Sequence, residues 1–224
     1  MNKIKKLETK FFQRDQLTKV SIKDNKEKLV DINKIDPTII LLPRIDNVAK
    51  TGKTIFVRQT VAKKLKKINQ DLNKKGLCLK IVDGYRLPEV QKKYWEYQIS
   101  LTKKQHPKWT LEMLEKEAMK FCAMPSLSFH PTGGAVDLTL VNSKNGKDLA
   151  MGTKINNFSH RAYSHYPLLS TTALKNRKIL FQVMEKEGFY NYPAEWWHFS
   201  YGTTDWSLFY KKPHAIYNVI KFKK

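Results

Sequence analysis

Between residues 58 and 75 apolar side chains recur at helical spacing. Val61, Leu65, Ile68 and Leu72 form one stripe, and lysines fill the other face. The spacing predicts an amphipathic helix closed by Gly76. LCLKIVD at 77–83 reads as a strand leading into Gly84, Tyr85 and Arg86. Pro88 suits the first turn of a further helix, running through Tyr94, Trp95 and Tyr97 to about Lys103. Another helix is expected from near Thr110 to about Cys122, with Leu111, Leu114 and Met119 on one side. AVDLTLV at 135–141 reads as a strand, with Ala135, Asp137 and Thr139 on one face and Val136, Leu138 and Leu140 on the other. A helix near 171–187 should end at Gly188, and two aromatic-rich strands should close the chain, around 195–201 and 214–220. Residues 1–50 are patterned more weakly. KLVDIN (28–33) and TIILLP (38–43) look like short strands punctuated by Pro37 and Pro43. Helices and strands are interspersed, and the closely spaced terminal strands point to antiparallel pairing, so the predicted class is α+β.

Composition places few limits on this picture. A chain of 224 residues suits a single domain, 1–224, with one sizeable core. With 41% apolar and 28% charged residues it is globular rather than disordered. The formal charge of +22 would attract anions. The lysines, however, are spread along the whole chain, which fits a solvated surface, and no specific nucleic-acid partner is expected. Cys78 and Cys122 lie outside any C-x-x-C pattern, so neither a disulfide framework nor a cysteine metal site is predicted, and a reducing compartment fits best. Met1 to Gln13 is basic but has no apolar run before a small-residue cleavage site. No stretch approaches the ~18 apolar residues that span a bilayer. The expectation is a soluble, cytoplasmic protein; the sequence leaves its oligomeric state open.

Three segments carry candidate chemistry. In Ser128-Phe-His130-Pro-Thr-Gly133-Gly-Ala135-Val-Asp137 a histidine on a glycine-containing turn leads into a strand bearing an aspartate. On an unbroken strand, residues seven apart point to opposite faces. Pro131, Gly133 and Gly134 break the strand, so the turn can bring His130 back toward Asp137. Asp137 stands between Val136 and Leu138, a costly place for a carboxylate without a cation or hydrogen bonds. The second segment, Glu195-Trp-Trp-His198, offers another imidazole, with a carboxylate that a bend can set beside a metal rather than on it, as a general base requires. Two histidines and one carboxylate are a common ligand set for catalytic zinc, with a fourth position left for water. The third segment is Asp83-Gly-Tyr-Arg86, whose guanidinium is a candidate for stabilising a developing oxyanion. Asp83 is read either as orienting that arginine or as capping the next helix.

Together these segments resemble the D-alanyl-D-alanine dipeptidases, the VanX-like branch of the zinc DD-peptidases. SFHPTGGAVD looks like the family's S-x-H-x-x-G-x-A-x-D motif, EWWH fits its E-x-W-H motif, and DGYR-L-P looks like D-x-Y-R-P with Leu87 inserted. The likeness runs from about residue 55 to the C-terminus, including Met151-Gly-Thr153, Asp205-Trp206 and Ala215-Ile-Tyr217. It implies that His130, Asp137 and His198 bind one zinc ion per chain, that Glu195 is the catalytic acid/base, and that Arg86 stabilises the transition state. Ser128, Tyr85 and Trp197 are then candidate substrate contacts. The implied fold is a compact α+β domain around a mainly antiparallel sheet flanked by helices, of the hedgehog/DD-peptidase-like kind. The implied substrate is a small peptide, D-Ala-D-Ala, a cell-wall precursor dipeptide. A peptidoglycan carboxypeptidase or endopeptidase of the same zinc superfamily is the alternative activity, and a non-catalytic, zinc-containing module that binds anionic polymers is a third. The chain departs from the family pattern at Ala150, where an aspartate is usual, at Ile155-Asn156, where Phe-Asp is usual, and across 32–50. These departures touch recognition and leave the metal motif whole.

Overall fold

The stripe Val61, Leu65, Ile68 and Leu72 lies on one helix and is buried, each side chain 2% exposed or less. Burial at that level is worth ~1.5–3 kcal/mol per aliphatic side chain, enough to seat the helix on the sheet beside it. The computed structural model describes residues 12–222, so the Met1–Gln13 stretch falls almost wholly outside the described residues. In chain order the elements are α1 (Arg14–Lys19), β1 (Leu29–Asp31), α2 (Ile32–Ile35), β2 (Ile40–Leu41), α3 (Ile45–Thr51), β3 (Phe56–Arg58), the striped helix α4 (Gln59–Asn73), β4 (Leu77–Asp83), α5 (Pro88–Gln105), α6 (Leu111–Ala118), β5 (Ala135–Asn142), α7 (Thr171–Lys186), β6 (Tyr190–Asn191), β7 (His198–Ser200) and α8 (Thr204–Phe209).

A five-stranded sheet in the order β2-β4-β5-β7-β6 forms the centre. Its β2–β4 pair is parallel and the other three pairs are antiparallel. A separate antiparallel pair joins β1 to β3. The chain is thus α+β with a mainly antiparallel sheet. Strand β5 is buried on both faces from Ala135 to Val141, which explains its near-continuous apolar run. One hydrophobic cluster takes in Leu65 and Leu72 of α4, Ile81 of β4, Leu138 of β5, Leu180 of α7 and Phe199 of β7, so sheet and helices share a core.

Three expected elements differ. The strand expected at 195–201 begins only at His198, because Glu195–Trp197 form a turn in which the Glu195 amide donates to Tyr192 O and the His198 amide donates to Glu195 O. The segment 214–220 is not a strand. The amides of Ile216 and Tyr217 both converge on Gly202 O, a bulge-like pairing that does not continue into a ladder, and only an isolated bridge joins Ala215 to Ile22. Helix α6 stops at Ala118 and buries Leu114 and Ala118, whereas Leu111 is 65% exposed. Among the described residues, no helix is long and apolar enough to cross a membrane.

Candidate functional site

The site grows from an irregularity in the sheet. Strands β4 and β5 keep a strict register until Ile81↔Leu138, then shift by one residue so that Asp83 faces Asp137. A β-bulge here turns Asp83 onto the face that carries Asp137. Two buried carboxylates opposed across a strand pair repel each other unless cations sit between them. Arg44, just before α3, supplies one: its Nε pairs with Asp83 Oδ2 and its Nη2 lies 3.8 Å from Asp137 Oδ2. Arg86 supplies a second, holding Asp83 Oδ2 through Nη2 at 2.6 Å and Nε at 3.1 Å. Burial resists ionisation of Asp83, but Arg86, His130 and Arg44 outweigh it and hold its pKa below the ordinary value.

Two imidazoles complete the cluster. His198 is the register partner of Asp137 on β7, so the two side chains share a face, and Nδ1 lies 2.9 Å from Asp137 Oδ1. His130 sits on a single 3-10 turn, His130–Thr132, which ends at Gly133 in the left-handed region (φ 72°). A Cβ on Gly133 would also meet Leu29 Cδ2 at 2.5 Å, a side-chain end that can shift, so it is the left-handed backbone that calls for glycine. His130 Nδ1 lies 2.8 Å from Gly84 O. A carbonyl can only accept, so Nδ1 carries the proton, and the Nε2 lone pair faces Asp137 Oδ1 at 3.4 Å. His130, Asp137 and His198 are 4%, 3% and 7% exposed. Burial pushes the His130 pKa down. It opposes, without overcoming, the hydrogen bond to Asp137 that raises His198. Asp137 is held well below its ordinary range: burial raises it, but both imidazoles lower it more.

These three residues place one ligand atom each within 4.8 Å of one another, and they are the group among the described residues that could hold a metal ion. Two ligands of one tetrahedral zinc stand about 3.3 Å apart, given bonds of ~2.0–2.1 Å. The 3.4 Å spacing from His130 Nε2 to Asp137 Oδ1 fits that geometry, and the 2.9 Å hydrogen bond from His198 Nδ1 to the same oxygen would lengthen by a few tenths of an ångström around a metal. The donor set, two neutral nitrogens and a carboxylate oxygen, suits zinc as well.

Glu195 stands on the turn before β7, within electrostatic reach of His198 and Asp137, and burial pushes its carboxyl up to about 7. The structure separates the two readings of Asp83. It orients Arg86, while the N-cap of α5 is Leu87, which makes no side-chain cap bond. Gln91 Oε1 accepts from Arg86 Nη1, so three of the five guanidinium N–H groups are held and the rest are free for a ligand. Ser128 is buried in the loop leading to His130. Tyr85 and Trp197 stand apart from the cluster. Tyr85 donates its hydroxyl to Ile220 O and packs with Leu87 and Val90, and Trp197 is fully buried against Trp196 and Phe158. Packing accounts for both side chains, and it is Trp196 that lines the cavity beside the site. Arg44 and Asn47 escaped the sequence reading. Asn47 clamps the Arg86 loop from both sides, donating to Tyr85 O and accepting from the Leu87 amide.

Residues 43–220 match the family model described as D-ala-D-ala dipeptidase. The match begins upstream of the expected residue 55 and takes in Arg44 and Asn47. The D-alanyl-D-alanine dipeptidase of Synechocystis sp. is 32% identical over 104 residues, covering 42% of this chain and 42% of that protein. The D-alanyl-D-alanine dipeptidase of Escherichia coli strain K12 is 29% identical over 124 residues, covering 55% of each. The chain thus spans about half the length of these curated relatives. A solved structure of VanYB in complex with D-alanine-D-alanine is 18% identical, covers 72% of this chain and 80% of its own, and has a TM-score of 0.45.

Proposed function

The chain belongs to the D-ala-D-ala dipeptidase family, and on that premise we propose that it is a zinc metallopeptidase hydrolysing D-alanyl-D-alanine or a related D-amino-acid dipeptide. The observation that carries the reading is the convergence of His130 from its 3-10 turn, Asp137 from β5 and His198 from β7, with Glu195 close by.

His130, Asp137 and His198 would hold one zinc ion. When bound, zinc supplies a water acidified toward a pKa of ~7 and polarises the substrate carbonyl. Glu195 takes the proton of the attacking water and hands it to the leaving amine, and a carboxyl with a pKa of about 7 is matched to both transfers near neutrality. Arg86, fixed by Asp83 and Gln91, aims its remaining donors at the oxygen where charge develops. Gly84 O keeps His130 in the tautomer that presents Nε2. The reading treats residues 1–224 as one peptidase domain, supported by the shared hydrophobic cluster. It places the enzyme in the cytoplasm, where the free thiols Cys78 and Cys122 suit a reducing environment.

The test is Glu195→Ala in metal-analysed protein with D-alanyl-D-alanine. Hydrolysis should fall by at least ~10²-fold, the usual contribution of a general acid/base, while zinc content stays at one per chain. Unchanged hydrolysis would remove Glu195 from its role. A second reading, a peptidoglycan carboxypeptidase or endopeptidase of the same superfamily, draws support from the size of the adjoining cavity, about 840 Å³. Faster cleavage of N-acetyl-D-alanyl-D-alanine than of the free dipeptide would favour it.

A further inference from the structure

The cavity beside the cluster is lined by Arg44, Lys80, Thr139, Asp148, Lys154 and Trp196, among others, and measures about 840 Å³. It is built on residues that neighbour the site. Thr139 lies two residues beyond Asp137 on the same face of β5, about 7 Å along the strand. Lys80 is the register partner of Thr139 and shares that face. Arg44 reaches Asp137, and Trp196 follows Glu195 directly.

The lining is cationic. It carries Arg44, Lys80 and Lys154 against one carboxylate, Asp148, which Lys80 already holds at 2.8 and 2.9 Å. Arg44 is tied to Asp83. Lys154 forms no ion pair among the described residues and is left as surplus positive charge at the exposed rim. Reach decides which substrate group this charge can meet. A peptide advances about 3.3–3.6 Å per residue, so the α-carboxylate next to the scissile bond stays within roughly one residue of the metal cluster. Lys80 and its strand partner Thr139 stand about twice that far away.

We propose that this cavity is a subsite for a second substrate carboxylate, distinct from the scissile dipeptide's own C-terminal one and carried on the N-terminal side of the scissile bond. The substrate is then an acidic D-amino-acid peptide unit rather than a neutral one. The inference rests on the peptidase reading above and specifies its substrate class. The second carboxylate has two chemical sources, an acidic side chain or a carboxylated acyl group on the amine.

The experiment uses the zinc-loaded full chain and measures D-alanine release from two matched pairs. These are D-Glu-D-Ala against D-Gln-D-Ala, and N-succinyl-D-Ala-D-Ala against N-acetyl-D-Ala-D-Ala. At least one carboxylated member should show about tenfold higher kcat/KM than its neutral partner, as expected from about 1.4 kcal/mol of added attraction. The pair that responds identifies the source, and the preference should shrink as salt rises. Lys154→Glu should lower the ratio, whereas Lys92→Glu, on the exposed side of α5, should leave it unchanged. Ratios near one in both pairs, or equal effects of the two lysine variants, overturn the subsite and leave the peptidase standing. D-alanyl-D-alanine itself serves as the reference: if it is hydrolysed and none of the four compounds is, the subsite falls and the peptidase stands, and if none of the five is hydrolysed, both readings fail.

Discussion

Replacing Arg44 with methionine isolates the charge that separates Asp83 from Asp137. The methionine keeps an apolar stem beside Tyr94, whose ring lies 5.7 Å from the guanidinium carbon. It removes the pairing with Asp83, the 3.8 Å approach to Asp137 and the 3.0 Å hydrogen bond to Asn156 Oδ1. Breaking a fully buried pair by deleting one partner costs ~3–5 kcal/mol. Two features reduce that figure here: the Arg44 side chain is 25% exposed, and Asp83 retains Arg86. A loss of ~2 kcal/mol is expected, which for a chain of this length lowers Tm by ~4–8 °C in metal-free protein. Zinc changes the outcome, because a dication on Asp137 restores positive charge between the two carboxylates. The thermal gain on adding zinc should therefore be larger in Arg44→Met than in the parent. The assay is thermal unfolding of chelator-treated and zinc-loaded protein, both variants side by side. Equal losses with and without zinc would refute the role assigned to Arg44, as would a metal-free loss below about 1 °C, far under the shift per kcal/mol for this size.

Two further outcomes follow from the polar core beneath α4. Asn69 is fully buried, donates to Asp36 Oδ2 and Thr38 Oγ1, and accepts from the Leu79 amide, so it ties α4 to β4. Asn69→Ala strands a buried amide and a carboxylate and should cost ~2–3 kcal/mol by urea unfolding; a loss under ~1 kcal/mol would contradict this. Burial alone would raise the Asp36 pKa, but hydrogen bonds from Thr38 and Asn69 outweigh it and leave the value lowered. A depressed folded pKa means the stabilisation is fully present above the unfolded value of ~3.9 and is lost as pH falls through the folded one. The stability gap between the parent and Asp36→Asn, measured in urea with chelator, should therefore narrow as pH drops below about 4. A constant gap from pH 7 to pH 3 would show that Asp36 contributes no charge-dependent stability.

How much of this was legible in the sequence depends on what encoded it. Helix α4 and strand β5 were readable because burial of one face, or of both, writes itself into local periodicity. The candidate site was readable because short motifs place His130 and Asp137, and Glu195 and His198, at fixed offsets. The bulge that turns Asp83 toward Asp137 left no local trace, since a register shift is a relation between two strands. Arg44 was missed for a related reason: its partners lie 39 and 93 positions away, on β4 and β5. The segment 214–220 misled because aromatic and β-branched residues signal burial as well as pairing. There Tyr217 is buried against Tyr201 and Arg58 while its amide bonds the distant Gly202 carbonyl outside any ladder.

The cavity lining next to Trp196 poses a physical problem, because most of it is loop. Residues 150–163 contribute Met151, Gly152 and Thr153 to the lining with no strand ladder to hold them. Arg177 of α7 supplies the missing order. It is 1% exposed, and it donates to the carbonyls of Met151, Tyr163 and Arg161 at 2.8, 2.7 and 2.8 Å. Its guanidinium also stands 5.5 Å from the Trp196 ring. Trp196 in turn donates from Nε1 to Thr153 Oγ1 and from its amide to Ala162 O, so the turn carrying Glu195 is fastened to the same loop. Carbonyl dipoles at fixed positions replace the hydration that a buried cation loses, and the rigid fork lets one side chain hold three backbone carbonyls of the loop. An amphipathic helix that looked like ordinary packing in the sequence thereby bears on the position of Glu195, and in the proposed role of general base a carboxylate displaced by about 1 Å can lose ~10²-fold in rate.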